Sequence, residues 1–353
     1  MRYVTVFCLL AILCVVPALG AELEVPGLDQ VWEEAEGYGV APGEPLDAGL
    51  SGLLADAAGQ IGGLFRTGLS TAMKLIIVVL LCSLAHSVKA GEDGGLQAVT
   101  VAGALAITAL TMTDMAVMIG LGRDTLGRMG DFSSVLLPAM AVLTAATGGV
   151  TAAAVRQGAT VLFSQLLITA MDRLLVPLVY AYVAVSCAYA AVGNPGLKRV
   201  AGLLKGAITF FLTALLLAFV GYLTASGAIA GSVDAAAVKA ARMAISRAIP
   251  VVGGILADAS ESVLAGAGAL RGAVGAAGML AVLAICLTPF LRLALQYLVY
   301  KGASALCATV AQPQLSGLID AIGSAFGLVL GMTGAGALVL LVGIVSAVKA
   351  VVP

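Results

Sequence analysis

Apolar positions dominate this chain in long runs broken by short polar or glycine- and proline-rich stretches. About 20 apolar residues are needed to cross the hydrocarbon core of a bilayer. On that ruler the candidate spans are 72–88, 96–120 and 133–150, a short pair at 158–171 and 174–192, then 206–228, 272–297 and 323–348. The pattern predicts an all-α fold, a polytopic integral membrane helical bundle with seven or eight transmembrane helices. Lipid cannot satisfy backbone polar groups, so each spanning element must satisfy its own.

Residues 248–279, AIPVVGGILADASESVLAGAGALRGAVGAAGM, depart from a plain lipid-facing helix. They carry Pro250, Gly253, Gly254, Asp258, Glu261 and Arg271 within apolar surroundings. Proline and paired glycines weaken helix continuity, and charged groups at membrane depth cost several kcal/mol unless protein or water surrounds them. The stretch is therefore a candidate for a broken or re-entrant segment enclosed by neighbouring helices. Asp258 and Glu261 share a helical face and could pair with Arg271 or Arg247 as a structural lock. A proton or cation relay is the alternative reading of the same carboxylates.

Composition agrees with the pattern. The 353 residues are 61% hydrophobic and only 10% charged, with a mean hydropathy of +1.10, far from the roughly one-quarter charged content of soluble domains. The net charge of -1 conceals an asymmetry: nine carboxylates fall between Glu22 and Asp56, where no Lys or Arg occurs, so the rest is net basic. Residues 1–20 resemble a secretory signal peptide, with Arg2, an apolar core and small residues up to Gly20; an uncleaved anchor is the alternative. Residues 21–60 form an acidic extracytoplasmic arm, and 61–353 the transmembrane domain. Within the arm a short amphipathic helix is plausible around Trp32, and Trp32 and Tyr38 are candidate anchors for a partner's exported domain.

Counting positive charges with the arm outside places Lys89, Arg156, Lys198, Arg199, Lys205, Arg292 and Lys301 inside. Arg123 and Arg128 strain the scheme, as does the amphipathic stretch 234–248, which could lie along the inner surface. Small residues recur in the spans: Gly327 and Gly331 make a G-x-x-x-G pair, and Gly272, Gly275 and Gly278 repeat every third residue. Such faces suit close helix packing within the chain and against other subunits or copies of itself. A glycine- and alanine-rich genome would leave the same trace.

Enzyme chemistry finds little support. His86 is the only histidine, and Cys82, Cys187, Cys286 and Cys307 stand singly in apolar runs, so neither a zinc cluster nor a Ser-His-Asp triad has its parts. GMTGAGA lacks the Lys and Ser/Thr of a phosphate-binding loop. Ser226-Gly227 bears only a faint likeness to a rhomboid-type serine, and a G-x-G-D aspartate pair is missing. No catalytic residue, cofactor, metal or nucleic-acid surface is implied. Asp114 within a span, and Asp172 beside Arg173 between two short runs, remain as intramembrane charges to be accounted for.

Three stretches stand out by their order and spacing. The first is VLLPAMAVLTAATGGVTAAA, with Leu137-Pro138, Thr144 and Gly148-Gly149. The second is Ile249-Pro250, Gly253-Gly254, Asp258, Ser260-Glu261, Gly275 and Gly278; the third is ATVAQPQLSGLIDAIGSAFG, with Gln312-Pro313. Together they resemble the stage III sporulation protein AE family. The resemblance implies a multi-pass protein of the mother-cell membrane around the forespore, its acidic arm in the intermembrane space. It implies a part in the secretion-like channel joining the two cells. The implied partners are the bilayer, small membrane subunits and the cytoplasmic ATPase of the same sporulation operon, and a YidC-type insertase. A passive scaffold for the smaller subunits is one alternative. Another, from a different class, is a stand-alone secondary transporter with a midplane site at a discontinuous helix.

Overall fold

A computed structural model describes residues 28–40, 45–88, 93–146, 150–248, 253–310 and 312–348, with the side chains at 46, 88, 93–96, 150–157, 159, 172, 226–248 and 253–267 outside the description. The described residues form helices and short turns. A short helix, α1 (Leu28–Gly37), precedes α2 (Leu46–Val88), α3 (Asp93–Ala146) and α4 (Val150–Ala170). A π-turn at Met171–Leu175 leads into α5 (Val176–Val192), followed by α6 (Pro195–Ala248), α7 (Gly253–Cys307) and α8 (Pro313–Val348).

The all-α membrane bundle expected from hydropathy is what the chain forms, but with fewer crossings. Among the described residues, six helical stretches are long and apolar enough to span, rather than seven or eight. Runs 96–120 and 133–150 were separated by the charges from Arg123 to Asp131, yet α3 carries 93–146 as one unbroken helix. Runs 158–171 and 174–192 are joined through the π-turn. There the Val176 N–H donates to the Met171 carbonyl, five residues back. Pro177 offers no N–H to the preceding turn and crowds the Arg173 carbonyl, and one wide turn accommodates it without ending the helix. The stretch 234–248 is likewise the continuation of α6 rather than a separate surface helix.

Most of the stretch 248–279, in which a break was expected, is continuous helix. From Gly253 through Asp258, Glu261 and Arg271 to Cys307 the backbone is one helix, with Pro289 inside it. Helix α6 ends at Ala248 and α7 starts at Gly253, so any interruption lies between them, where Pro250 falls outside the described residues. At 1.5 Å per residue α7 is about 80 Å long, well beyond the roughly 30 Å hydrocarbon thickness. The bundle must therefore extend past the bilayer.

Helix α8 is the hub. It packs on α3, α4, α5, α6 and α7, and it is the most enclosed of the six spans while α6 is the least. Ile319, Ile322, Ala325 and Phe326 are wholly buried. Gly323 and Gly327 let α7 come close. A Cβ at Gly323 would lie 2.9 Å from the Tyr300 Cβ and 3.4 Å from the Lys301 nitrogen, and one at Gly327 would lie 2.9 Å from the Tyr297 ring. Gly331 faces elsewhere, with Leu212 of α6 at an ordinary 3.5 Å. In lipid, apolar side chains gain nothing by leaving the solvent, so dispersion across such small-residue faces supplies much of the attraction.

A second core lies towards the other end, where Phe132, Leu136 and Met140 of α3 meet Val274, Leu280 and Ala281 of α7 and Ile344 of α8. Helix α1 joins it through Val31 and Ala35, both wholly buried. The Tyr38 ring meets Phe132 edge to face at 6.3 Å. Burial raises the Tyr38 phenol above its ordinary pKa, Glu34 and Asp131 act in the same direction, and Arg128 opposes them. Tyr38 thus stays neutral at physiological pH.

Overpacking a close helix contact costs about 1–3 kcal/mol. Gly323→Val should therefore lower the melting temperature in mild detergent by several degrees, whereas Gly331→Val, with room at its Cβ, should leave it nearly unchanged.

Candidate functional site

One end of the bundle gathers the connections from α2 to α3, α5 to α6 and α7 to α8, and polar side chains concentrate there. Helix α5 stops because Gly193 takes the left-handed conformation at φ 75° and its N–H donates to the Tyr189 carbonyl at 2.7 Å. The Asn194 Oδ1 accepts from the Gly196 N–H at 2.8 Å, and Pro195 opens α6. Pro313 sits at the first position of α8, where its fixed φ suits the helix and its missing N–H leaves no bond unmade. The preceding Gln312 ties three elements together. Its Oε1 accepts from Thr100 of α3 at 2.6 Å, and its Nε2 meets the His86 ring of α2. Ser83 of α2 adds a bond to the Val310 carbonyl at 3.0 Å. A half-open cavity of about 420 Å³ lies beside this strap, lined by Cys82, His86, Ser87, Thr100 and Gln312 among others.

Further along, charges are paired across helices. The Asp114 Oδ2 accepts from the Tyr300 hydroxyl at 3.0 Å and the Gln296 Nε2 at 3.2 Å. Gln296 and Tyr300 are four apart and so share a face of α7. Tyr300 is wholly buried, its ring edge-on to Phe326 at 5.0 Å. On the adjoining face of α7, Lys301 reaches Asp320 of α8 at 2.6 Å and the Ser324 Oγ at 2.9 Å. Lys205 of α6 donates to the same Ser324 Oγ at 3.1 Å. Ser304 closes the α7–α8 turn by donating to the Ser316 carbonyl at 2.9 Å.

The residues singled out from the sequence divide between the ends. Pro138 lies inside α3, where the missing N–H removes one bond to the Ser134 carbonyl. Next to it Leu136 rests against Gly278, and Met140 lies near Gly275. The first two stretches that resemble the sporulation family thus pack on one another. Arg271 is buried on α7. Gly253, Gly254, Asp258 and Glu261 begin that helix with side chains outside the description, while Pro250, Gly148 and Gly149 lie outside the described residues altogether. The third stretch, with Gln312-Pro313, builds the opposite end. Arg173 is exposed on the π-turn.

Sequence reading named Asp114 but not the partners Gln296 and Tyr300, and it missed Asp320 and Ser324. Their signal was present: Asp320 is a carboxylate in an otherwise apolar helix, with Ser324 one turn on. Several of these hydrogen bonds, from Thr100, Ser83, Tyr300, Gln296, Lys301 and Lys205, hold neighbouring helices together.

The comparisons with known proteins bear on the same stretch of chain. A family model described as stage III sporulation protein AE matches residues 50–350, which takes in all six candidate spans except the first few residues of α2. The chain belongs to that family. It is similar to the stage III sporulation protein AE of Bacillus subtilis (strain 168), at 24% identity over 201 residues, or 56% of this chain and 49% of the relative. The chain thus matches about half the length of that curated relative. No solved structure matches. In this member of the stage III sporulation protein AE family, the motifs that carry the likeness lie at both ends of one bundle.

A buried hydroxyl that loses its acceptor costs about 1–3 kcal/mol. Asp114→Ala should therefore lower thermal stability in detergent by that amount. Asp114→Asn, which keeps an acceptor for the Tyr300 hydroxyl, should lose about half as much; equal losses would show that the hydrogen bond contributes nothing.

Proposed function

We propose that this chain is a non-enzymatic membrane subunit of the stage III sporulation apparatus, the transenvelope channel that links mother cell and forespore and that forespore development requires. The observation that carries the proposal is the family match over residues 50–350, essentially the whole bundle. In keeping with a subunit built into a larger assembly, many of its polar groups engage each other across helices.

On this reading the protein lies in the mother-cell membrane around the forespore. The end that carries Lys198, Arg199, Lys205 and Lys301 faces the cytoplasm, in keeping with the bias of basic residues towards that side. There it meets the cytoplasmic ATPase of the same operon, while the spans pack with the small membrane subunits and enter the bilayer with a YidC-type insertase. Six crossings return the chain to the side on which it began, so both α1 and the end of α8 face the intermembrane space. The acidic helix α1 packs there on α3 and α7. The segment at Pro250, between α6 and α7, would shape or gate the assembled conduit together with Glu261.

Replacing the chromosomal copy in its sporulating host by Pro250→Ala or Glu261→Ala should lower the yield of heat-resistant spores at least tenfold and leave vegetative growth unchanged. Normal spore yield from both variants would sink the proposal, as would purification in mild detergent without any small membrane partner.

A further inference from the structure

Lys205 and Lys301 converge on one hydroxyl, that of Ser324, at 3.1 and 2.9 Å. The carboxylate that contacts this cluster is Asp320, already engaged with Lys301 at 2.6 Å. Two ammonium groups around a neutral oxygen, with one carboxylate between them, leave a positive surplus. Lys198, two turns before Lys205 on the same face of α6, and the neighbouring Arg199 add to it, and all three are exposed. Like charges do not gather at one acceptor without cost unless an anion completes the group.

The surroundings say what carries that anion. Helix α6 is the least enclosed span, and Leu203, Phe210 and Phe211, on its outer face away from Lys205, are exposed at 73%, 69% and 50%. Such a surface faces acyl chains. Tyr189 lies under Lys198 and Tyr297 beside Lys301, each with the ammonium 5.9 Å from the ring centre. Tyrosine and lysine together mark the headgroup layer. The apolar runs begin at Gly206 and Gly323 and end at Tyr297, so Lys205, Asp320 and Lys301 all stand within about a turn of a span's edge.

We propose that the groove between the first turns of α6, the last turns of α7 and the start of α8 holds the phosphate of an anionic phospholipid, with Lys205 and Lys301 as its donors. The acyl chains run from that groove into the surrounding bilayer. A bound lipid would then couple the peripheral α6 to the α7–α8 pair.

The test uses the full chain in phosphatidylcholine nanodiscs doped with phosphatidylglycerol, with the lipid retained after detergent extraction counted by mass spectrometry. Wild type should retain phosphatidylglycerol in preference to phosphatidylcholine. Lys205→Gln should reduce that preference about fivefold, and Lys205→Arg should keep it. Arg128→Gln, at the other end of the bundle, should have no effect, and unchanged circular dichroism should accompany all three. Wild-type retention by Lys205→Gln would overturn the proposal, as would an equal loss in Arg128→Gln. Displacement of the lipid by millimolar inorganic phosphate would also overturn it, because a soluble anion would then be the ligand.

Discussion

The close approach of α7 and α8 is the constraint on which the rest of the bundle depends. Two glycines a turn apart admit the Tyr300 and Tyr297 side chains onto the α8 backbone. That contact brings Lys301 level with Asp320 and fixes the turn at 307–313 that presents Gln312. A bulkier residue at either glycine would push the two helices apart and stretch three interactions together: the ion pair, the Tyr300–Phe326 contact and the Ser304 bond to the Ser316 carbonyl. Because α8 also touches α3, α4, α5 and α6, its position relative to α7 sets theirs.

From that pair the structure grows in two directions. At one end the Gln312 side chain fastens α2 and α3 to the α7–α8 turn through His86 and Thr100. At the other, α3 and α7 meet through Leu136 on Gly278, and the ends of α8 and α1 are packed against them. The described parts of the three stretches that resemble the sporulation family, Leu136 to Met140, Gly275 with Gly278, and Gln312 with Pro313, fall on these two contact regions.

Much of the fold was legible in the sequence, and the failures have physical causes. Apolar runs of about 20 residues located every long helix, because a bilayer imposes length directly. Among the described residues, runs counted separately join into one helical stretch at Arg123–Asp131 and at Asp172-Arg173, where charge was read as a boundary. A helix longer than the membrane can carry charges beyond or beside the lipid without stopping, and a π-turn absorbs a proline without a loop. Of the stretch 248–279 in which a break was expected, 253–279 is continuous helix, since a glycine pair weakens a helix without having to end it, and Pro250 lies outside the described residues. The candidate site was half visible. Asp114 stood out as a lone carboxylate in a span, but its partners lie 182 and 186 residues away, and no local periodicity connects them. Asp320 and Ser324 escaped notice because the apolar run that contains them was read for its glycines.

The weakest-packed helix shows why the polar contacts matter out of proportion to their number. Between Pro195 and Ala225, helix α6 keeps many of its apolar side chains turned outward, and moving them from lipid to protein would gain little, since both are equally oily. Besides its packing on α4 and α5, where Ile208, Phe219 and Leu223 are buried, its described contacts include Lys205 on Ser324, Leu212 against Gly331, and the Phe163–Phe219 ring pair at 5.4 Å. Only the first of these is directional. A hydrogen bond from an ammonium to a hydroxyl on the hub helix fixes both the height and the rotation of α6, which dispersion alone would leave free to slide. The register of α6 against the hub helix therefore draws on a charge near its N-terminal end.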